Sequence, residues 1–298
     1  MKNILVIGSL NIDFSVNVDK IPLSGETVNA SNLLISNGGK GANQAYTIGK
    51  LGGNVTMLGM VGKDIYGKNL KQGLKKVGVN VSGIYKNRKT ETGKAFINVS
   101  KDGQNSISIV HGANYCVTEE YLIKNKKLID KADIILMQLE IPLNTIKKVL
   151  EFAKDKIIIL DPAPANKNIM KFDLSNVYLM KPNETEIETL TGITITDEKS
   201  VINAARLLTD KGVKNVIVSL GDKGCYLIDK DNYKFFSSKK VKAVDTTAAG
   251  DSFIASIALE LSNGKTLEES INFASKVSSI VVTKKGAQNS IPSIKEII

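Results

Sequence analysis

The chain has 298 residues, 42% hydrophobic, 23% charged and 5% aromatic, an ordinary globular composition that excludes the disordered and collagen-like classes. Basic residues exceed acidic ones by a formal +10, but Arg88 and Arg206 are the only arginines and tryptophan is absent, which argues against a nucleic-acid surface built on clustered arginines and stacking aromatics. No apolar run reaches the roughly 18 residues of a membrane helix, and a single histidine, His111, excludes a multi-histidine zinc site and leaves carboxylates as the general bases.

In chain order, residues 4–8 form a continuous apolar run broken at once by Asn11 and Asp13, which reads as a buried first strand rather than a secretory leader. Phe14, Val16 and Val18 then alternate with Ser15, Asn17 and Asp19, the pattern of a half-exposed strand. Residues 28–35 are a partner for it. A helix is predicted over 42–51, a strand over 55–60 and a helix over 67–77 from the change in apolar spacing. Residues 94–110 alternate again around the turn Lys101-Asp102-Gly103-Gln104 and form a hairpin. Helical spacing covers 119–129, 143–154 and 201–211, and apolar runs at 134–138, 157–161, 177–180 and 216–220 read as strands buried on both faces. A last pair of helices spans 250–261 and the segment after Thr266, where Glu269 completes a capping box and Leu267, Ile271, Ala274, Val277 and Val281 fall on one face.

These elements predict an α/β fold: a doubly wound, mostly parallel sheet flanked by helices, in one domain over 1–298. The alternating segments at 14–36 and 94–110 form a small β-sheet lid, whose open faces suit pairing with a second copy into a homodimer. Cys116 and Cys225 have no metal or redox spacing, so a reducing cytoplasm is the expected compartment.

Two segments carry chemistry. In Asp245-Thr246-Thr247-Ala248-Ala249-Gly250-Asp251, small residues open a helix whose free amides attract anions. Asp251 lies in its first turn, placed to take a proton from a hydroxyl attacking a phosphoryl group; the same carboxylate could simply charge the helix start. In Gly38-Gly39-Lys40-Gly41-Ala42-Asn43-Gln44, glycines allow close approach to a hydroxylated ligand while Lys40 and Asn43 supply donors. Neither this segment nor Gly264-Lys265-Thr266 is a P-loop, because Leu34 and Leu259 stand where its first glycine belongs. No dinucleotide fingerprint follows the first strand, so hydride transfer is not expected.

With Asn183-Glu184-Thr185-Glu186 between them, these motifs are identified, in order and spacing, with the ribokinase family of sugar and nucleoside kinases, and the resemblance runs nearly end to end. It implies transfer of the terminal phosphoryl group of ATP to the 5-hydroxyl of D-ribose, with Asp251 as base and the amides of Ala249, Gly250 and Asp251 stabilising charge. Asn11, Asp13, Gly39, Lys40, Gly41, Asn43 and Glu140 would grip the sugar. Asn183, the loop Ser219-Leu220-Gly221-Asp222-Lys223-Gly224, Gly250, Asp251 and Ser275 would face ATP, and Glu186 would order magnesium through water. By spacing alone the 219–224 segment is a hairpin connection, and Ser275 suits core packing equally well. Asp245, Thr247, Val281, Lys284, Gly286 and Ser290 correspond to the family's potassium site. Ala248, glycine in many relatives, resembles the ribose-specific branch and slightly narrows the anion pocket. A deoxyribose, fructose or nucleoside kinase, or a silent nucleotide sensor, are the rival readings.

Overall fold

The structure is a computed structural model and describes residues 1–297. Its strands are β1 (Ile4–Ile7), β2 (Asn11–Val18), β3 (Ala30–Gly38), β4 (Val55–Gly62), β5 (Ile84–Asn87), β6 (Gly93–Ser100), β7 (Asn105–Val110), β8 (Ile134–Gln138), β9 (Ile157–Asp161), β10 (Val177–Met180), β11 (Asn215–Ser219), β12 (Gly224–Ile228) and β13 (Tyr233–Ser237). The helices are α1 (Lys40–Lys50), α2 (Ile65–Lys76), α3 (Glu119–Lys124), α4 (Lys126–Lys131), α5 (Leu143–Phe152), α6 (Glu184–Thr191), α7 (Glu198–Asp210), α8 (Ala249–Ser262) and α9 (Leu267–Val281).

Nine strands form one sheet in the order β13-β12-β11-β10-β9-β8-β1-β4-β5. It is parallel from β5 to β11, and β12 and β13 continue it antiparallel at the edge. Period-two alternation splits each strand between two cores. Ile4 and Val6 of β1 and Ile134 and Leu136 of β8 pack with α1, α2, α8 and α9, whereas Leu5, Ile7, Ile135 and Met137 pack with α3 to α7. Burial on both faces is why these strands read as unbroken apolar runs.

The second sheet has the order β3-β2-β6-β7. Its β2–β6 pairing is parallel, and β3 and β7 flank it antiparallel. Phe14 ties this sheet to the body, stacking on Phe96 at 5.4 Å and meeting Tyr66 of α2 edge-on at 5.7 Å. Leu33, Leu34, Ile35, Phe96, Ile107 and Val110 remain exposed on it.

Two departures from the sequence reading have local causes. The helix expected over 119–129 breaks at Asn125, whose buried side-chain amide donates to the Tyr121 carbonyl at 2.8 Å; an asparagine that turns back on its own backbone competes with helix propagation. The short edge strand β5 and the β12–β13 pair carry exposed Tyr85, Tyr233 and Phe235, so neither gives the continuous buried run that marks a central strand. Residues 221–223 form a single helical turn joining β11 to β12, the hairpin connection that spacing suggests.

Candidate active site

The order of the large sheet reverses between β1, whose chain continues toward β4, and β8, which starts the run in the other direction. At such a switch point the loops after two neighbouring strands part, leaving a crevice at the carboxyl ends. Ser9 follows β1 and Glu140 follows β8, and the Ser9 hydroxyl donates to Glu140 across that point. The backbone N–H of Lys40 donates to the same carboxylate at 3.2 Å. Glu140 is therefore buried and bonded, not a solvated strand end.

The glycine motif is what lets α1 begin in the crevice. Gly39 has φ +88°, and a Cβ there would lie 2.6 Å from the Asn11 N; one on Gly41 would lie 2.7 Å from the Ser9 N. A Cβ on Gly38 would run into the Asp13 carboxylate. Larger residues would close the space that Asp13 occupies. Asn11 accepts from the Asn114 side chain at 2.7 Å, and Asn114 in turn accepts from the Leu10 N–H at 2.9 Å.

Asp13 is pushed up to about 7, first by burial and then by the nearby Glu140 and Asp251 carboxylates. Lys40 is also raised, which in its case favours the charged form. Burial alone would lower it, but Asp251, Asp161, Glu140 and Glu186 together hold its ammonium well above the ordinary lysine range.

Asp251 stands at the start of α8, a helix buried nearly all round, and is itself 7% exposed. Asn43 donates to one of its oxygens at 2.9 Å and Gln44 to the other at 3.3 Å. Gln288 steadies Asn43 from behind at 3.3 Å. Ahead of α8, Ala248 takes the left-handed conformation at φ 62° and ψ 8°, which turns the chain so that the first helical amides face the crevice. The Ala249 N–H donates to the Thr246 carbonyl at 3.1 Å and so is not free for an anion, a correction to the three-amide cradle. The N–H groups of Gly250 and Asp251 have no acceptor among the described residues and form the cradle that remains.

A cavity of about 770 Å³ opens from this cradle. Lys40, Asn183, Glu186, Ser219, Gly221, Asp222, Gly224, Gly250, Asp251 and Ser275 line it, which brings together most of the expected nucleotide residues. Leu220 and Lys223 are not in its lining: Leu220 packs against the hydrophobic core on the α3 to α7 side of the sheet. Asn183 and Glu186 cap α6 reciprocally at 2.8 Å each way. Asp13, Asn43 and Glu140 adjoin the cavity through Asp251 and Lys40, which belong to both groups, and Asn11 lies against Gly39, next to Lys40.

Behind α8, Asp245 accepts from the Thr247 N–H at 2.9 Å, the Thr247 hydroxyl at 2.6 Å and the Gly286 N–H at 2.9 Å. The Val282 carbonyl takes the N–H groups of Val244 and Asp245. These bonds bring the two walls expected around a cation together. Ser290 is buried nearby in sequence and donates to Ala287, while the Val281 carbonyl accepts the Lys284 N–H and the Lys284 ammonium pairs outward with Glu296 at 2.6 Å.

Sequence reasoning passed over Ser9, Asn114, Gln138, Asp161, Lys181 and Gln288, and gave Gln44 no role. Gln44 links Asp251 to Asp161, donating to the latter at 2.9 Å, and accepts from Gln138. The available signal was position: Asp161 ends β9 and Lys181 follows β10, both at the ligand-bearing edge of a parallel sheet.

A family model described as pfkB family carbohydrate kinase matches residues 1–294. The chain belongs to that family. This carbohydrate kinase is 38% identical to a ribokinase of Haemophilus influenzae over 298 residues, 99% of this chain and 97% of the relative. It is 36% identical to a deoxyribokinase of Salmonella typhi over 296 residues, 99% and 97% of the two chains. The structure of Arabidopsis thaliana ribokinase complexed with ribose and ATP superposes with a TM-score of 0.88 at 32% identity, covering 99% of this kinase and 97% of the other chain. The mostly parallel sheet with its small appended sheet is the architecture that such kinases share.

Proposed function

We propose that this kinase transfers the terminal phosphoryl group of ATP to the 5-hydroxyl of D-ribose, giving D-ribose 5-phosphate and ADP. The observation that carries the reading is the double membership of Asp251: a buried carboxylate held by Asn43 on its polar side and lining the large cavity on the other. Asn11, Asp13, Lys40, Asn43 and Glu140 offer acceptors and donors for a ring bearing several hydroxyls. Asp251 takes the proton of the attacking hydroxyl as its oxygen bonds to phosphorus and the bond to the ADP oxygen breaks. The amides of Gly250 and Asp251 meet the charge on the transferring group.

Magnesium fits as a metal carried on the phosphates, neutralising their charge. No group of three acidic or sulfur ligands forms a metal cage among the described residues, while Glu186 borders the cavity and can hold such an ion through water. Potassium fits the oxygens behind α8: Asp245, Thr247 and Ser290 side chains with carbonyls of Val281, Lys284 and Gly286, a set suited to a large, weakly hydrated ion. Holding the 244–247 turn steady, it would fix the amide cradle. The exposed apolar surface of the small sheet suits a second copy, and that sheet would act as the lid over ribose. The cytoplasm is the compartment we propose, in keeping with the free thiols of Cys116 and Cys225.

Deoxyribose is the second reading, favoured by the match to the Salmonella typhi deoxyribokinase. ADP release measured across ribose, 2-deoxyribose, fructose and nucleosides, with and without potassium, separates the two. Ribose is expected to give the highest kcat/KM, and the Asp251→Asn variant to bind ATP while losing turnover on the order of 10²- to 10⁴-fold. A preference for another acceptor overturns the ribose assignment, and full turnover by Asp251→Asn removes the base.

A further inference from the structure

One cation beside the cradle is used by nothing described so far. Lys181, at the end of β10, is 4% exposed, yet its ammonium has no hydrogen-bond acceptor among the described residues. The nearest carboxylate oxygen, Asp161 Oδ1, is 3.9 Å away. That oxygen is itself buried without a hydrogen bond. Two oppositely charged groups thus face each other out of bonding reach, each with unmet capacity, although burial makes unmet capacity costly. The Lys181 ammonium also borders the cavity, and a Cβ built on Gly250 would lie 3.4 Å from it. An oxygen seated on the free Gly250 and Asp251 amides is therefore within reach of Lys181.

We propose that Lys181 donates to the terminal phosphoryl group of the bound nucleoside triphosphate, making that group, rather than Asp161, its principal partner. This deepens the ATP-binding reading and rests on it. Asp161, Asp251 and Glu186 all border the same cavity, so a triphosphate entering it meets three carboxylates. Lys40 lines the same cavity and feels the pull of Asp251, Asp161, Glu140 and Glu186, whereas Lys181 is the ammonium that stands against Gly250 at the start of α8. Burial pushes the Asp161 carboxyl up despite the pull of Lys181 and Lys40, in keeping with an ion pair that is incompletely formed before substrate arrives.

The test is a double-mutant cycle read by calorimetric binding of ATP and of ADP without sugar, on the wild type, Lys181→Met, Asp161→Asn and the double variant. Lys181→Met is expected to weaken ATP on the order of 10- to 100-fold, the worth of a charge-assisted hydrogen bond, with ADP and ribose affinities changed less than about threefold. The same selective loss is expected when Lys181→Met is added to Asp161→Asn, and this comparison stands if the single variant fails to fold around an unpaired Asp161. Equal weakening of ATP and ADP overturns the proposal. So does disappearance of the effect in the Asp161→Asn background, which would make Lys181 only a counter-ion. Binding is measured without an acceptor, so a wrong sugar assignment leaves this outcome readable.

Discussion

Asp13 carries a conflict between binding and stability. Its buried carboxyl titrates near 7 where an exposed one titrates near 3.8, so the folded chain holds a proton that the unfolded chain releases between those values. The native state then binds more protons across that window, and stability falls as pH rises through it. The sugar contact proposed for Asp13 runs the opposite way, because only the ionised carboxylate accepts from two hydroxyls. The KM for ribose is expected to fall as pH rises from about 6 to 8 and to level off above about 8. Asp13→Asn is expected to abolish that dependence, weaken ribose, and raise the Tm at pH 8. Pre-steady-state or equilibrium ribose binding against pH, beside thermal melts, measures both; a flat wild-type profile would remove Asp13 from sugar recognition.

The start of α8 shows how an element is fitted to the site at some cost to itself. Ala248 is held at φ 62°, a conformation that costs a residue with a Cβ about 1 to 2 kcal/mol. Ala248→Gly relieves it, partly offset by the greater freedom of glycine in the unfolded chain. A net gain of about 0.5 to 1 kcal/mol, or roughly 2 °C in Tm, is expected by calorimetry. A loss of stability would show that the methyl packs favourably enough to outweigh the strained backbone. At the other end of the site, α1 begins on Gly39 without a side-chain cap; its orientation comes from the contact of Gly41 with Ser9 and from the Ala42 N–H donating to the Ser9 carbonyl at 2.8 Å.

For the whole molecule, the large sheet fixes the crevice at its switch point, and the small sheet, the lid of the proposed function, leaves apolar residues exposed. Leu33 and Ile107 are 62% and 51% exposed, so charges there should disturb association and leave the fold intact. Leu33→Glu combined with Ile107→Glu is expected to turn a dimer into a monomer by sedimentation, with Tm lowered only as far as lost association requires. A wild type that sediments as a monomer at high concentration would rule out pairing through this sheet.

The alternation between buried strands and amphipathic helices determined the α/β class, because burial on both faces leaves a continuous apolar run whatever lies far away in sequence. Glycine placement and the acid after Ala249-Gly250 likewise marked the two ends of the site locally. What depended on tertiary structure was pairing across long separations. Glu140 needs Ser9, Asn43 and Gln44 need Asp251, and Lys181 needs Gly250. No local pattern records those partnerships, since each is made only when the parallel strands assemble and carry distant loops to one edge. The edge strands β5, β12 and β13 escaped for a related reason: a half-covered strand keeps polar and aromatic residues whose places are set by neighbours rather than by period.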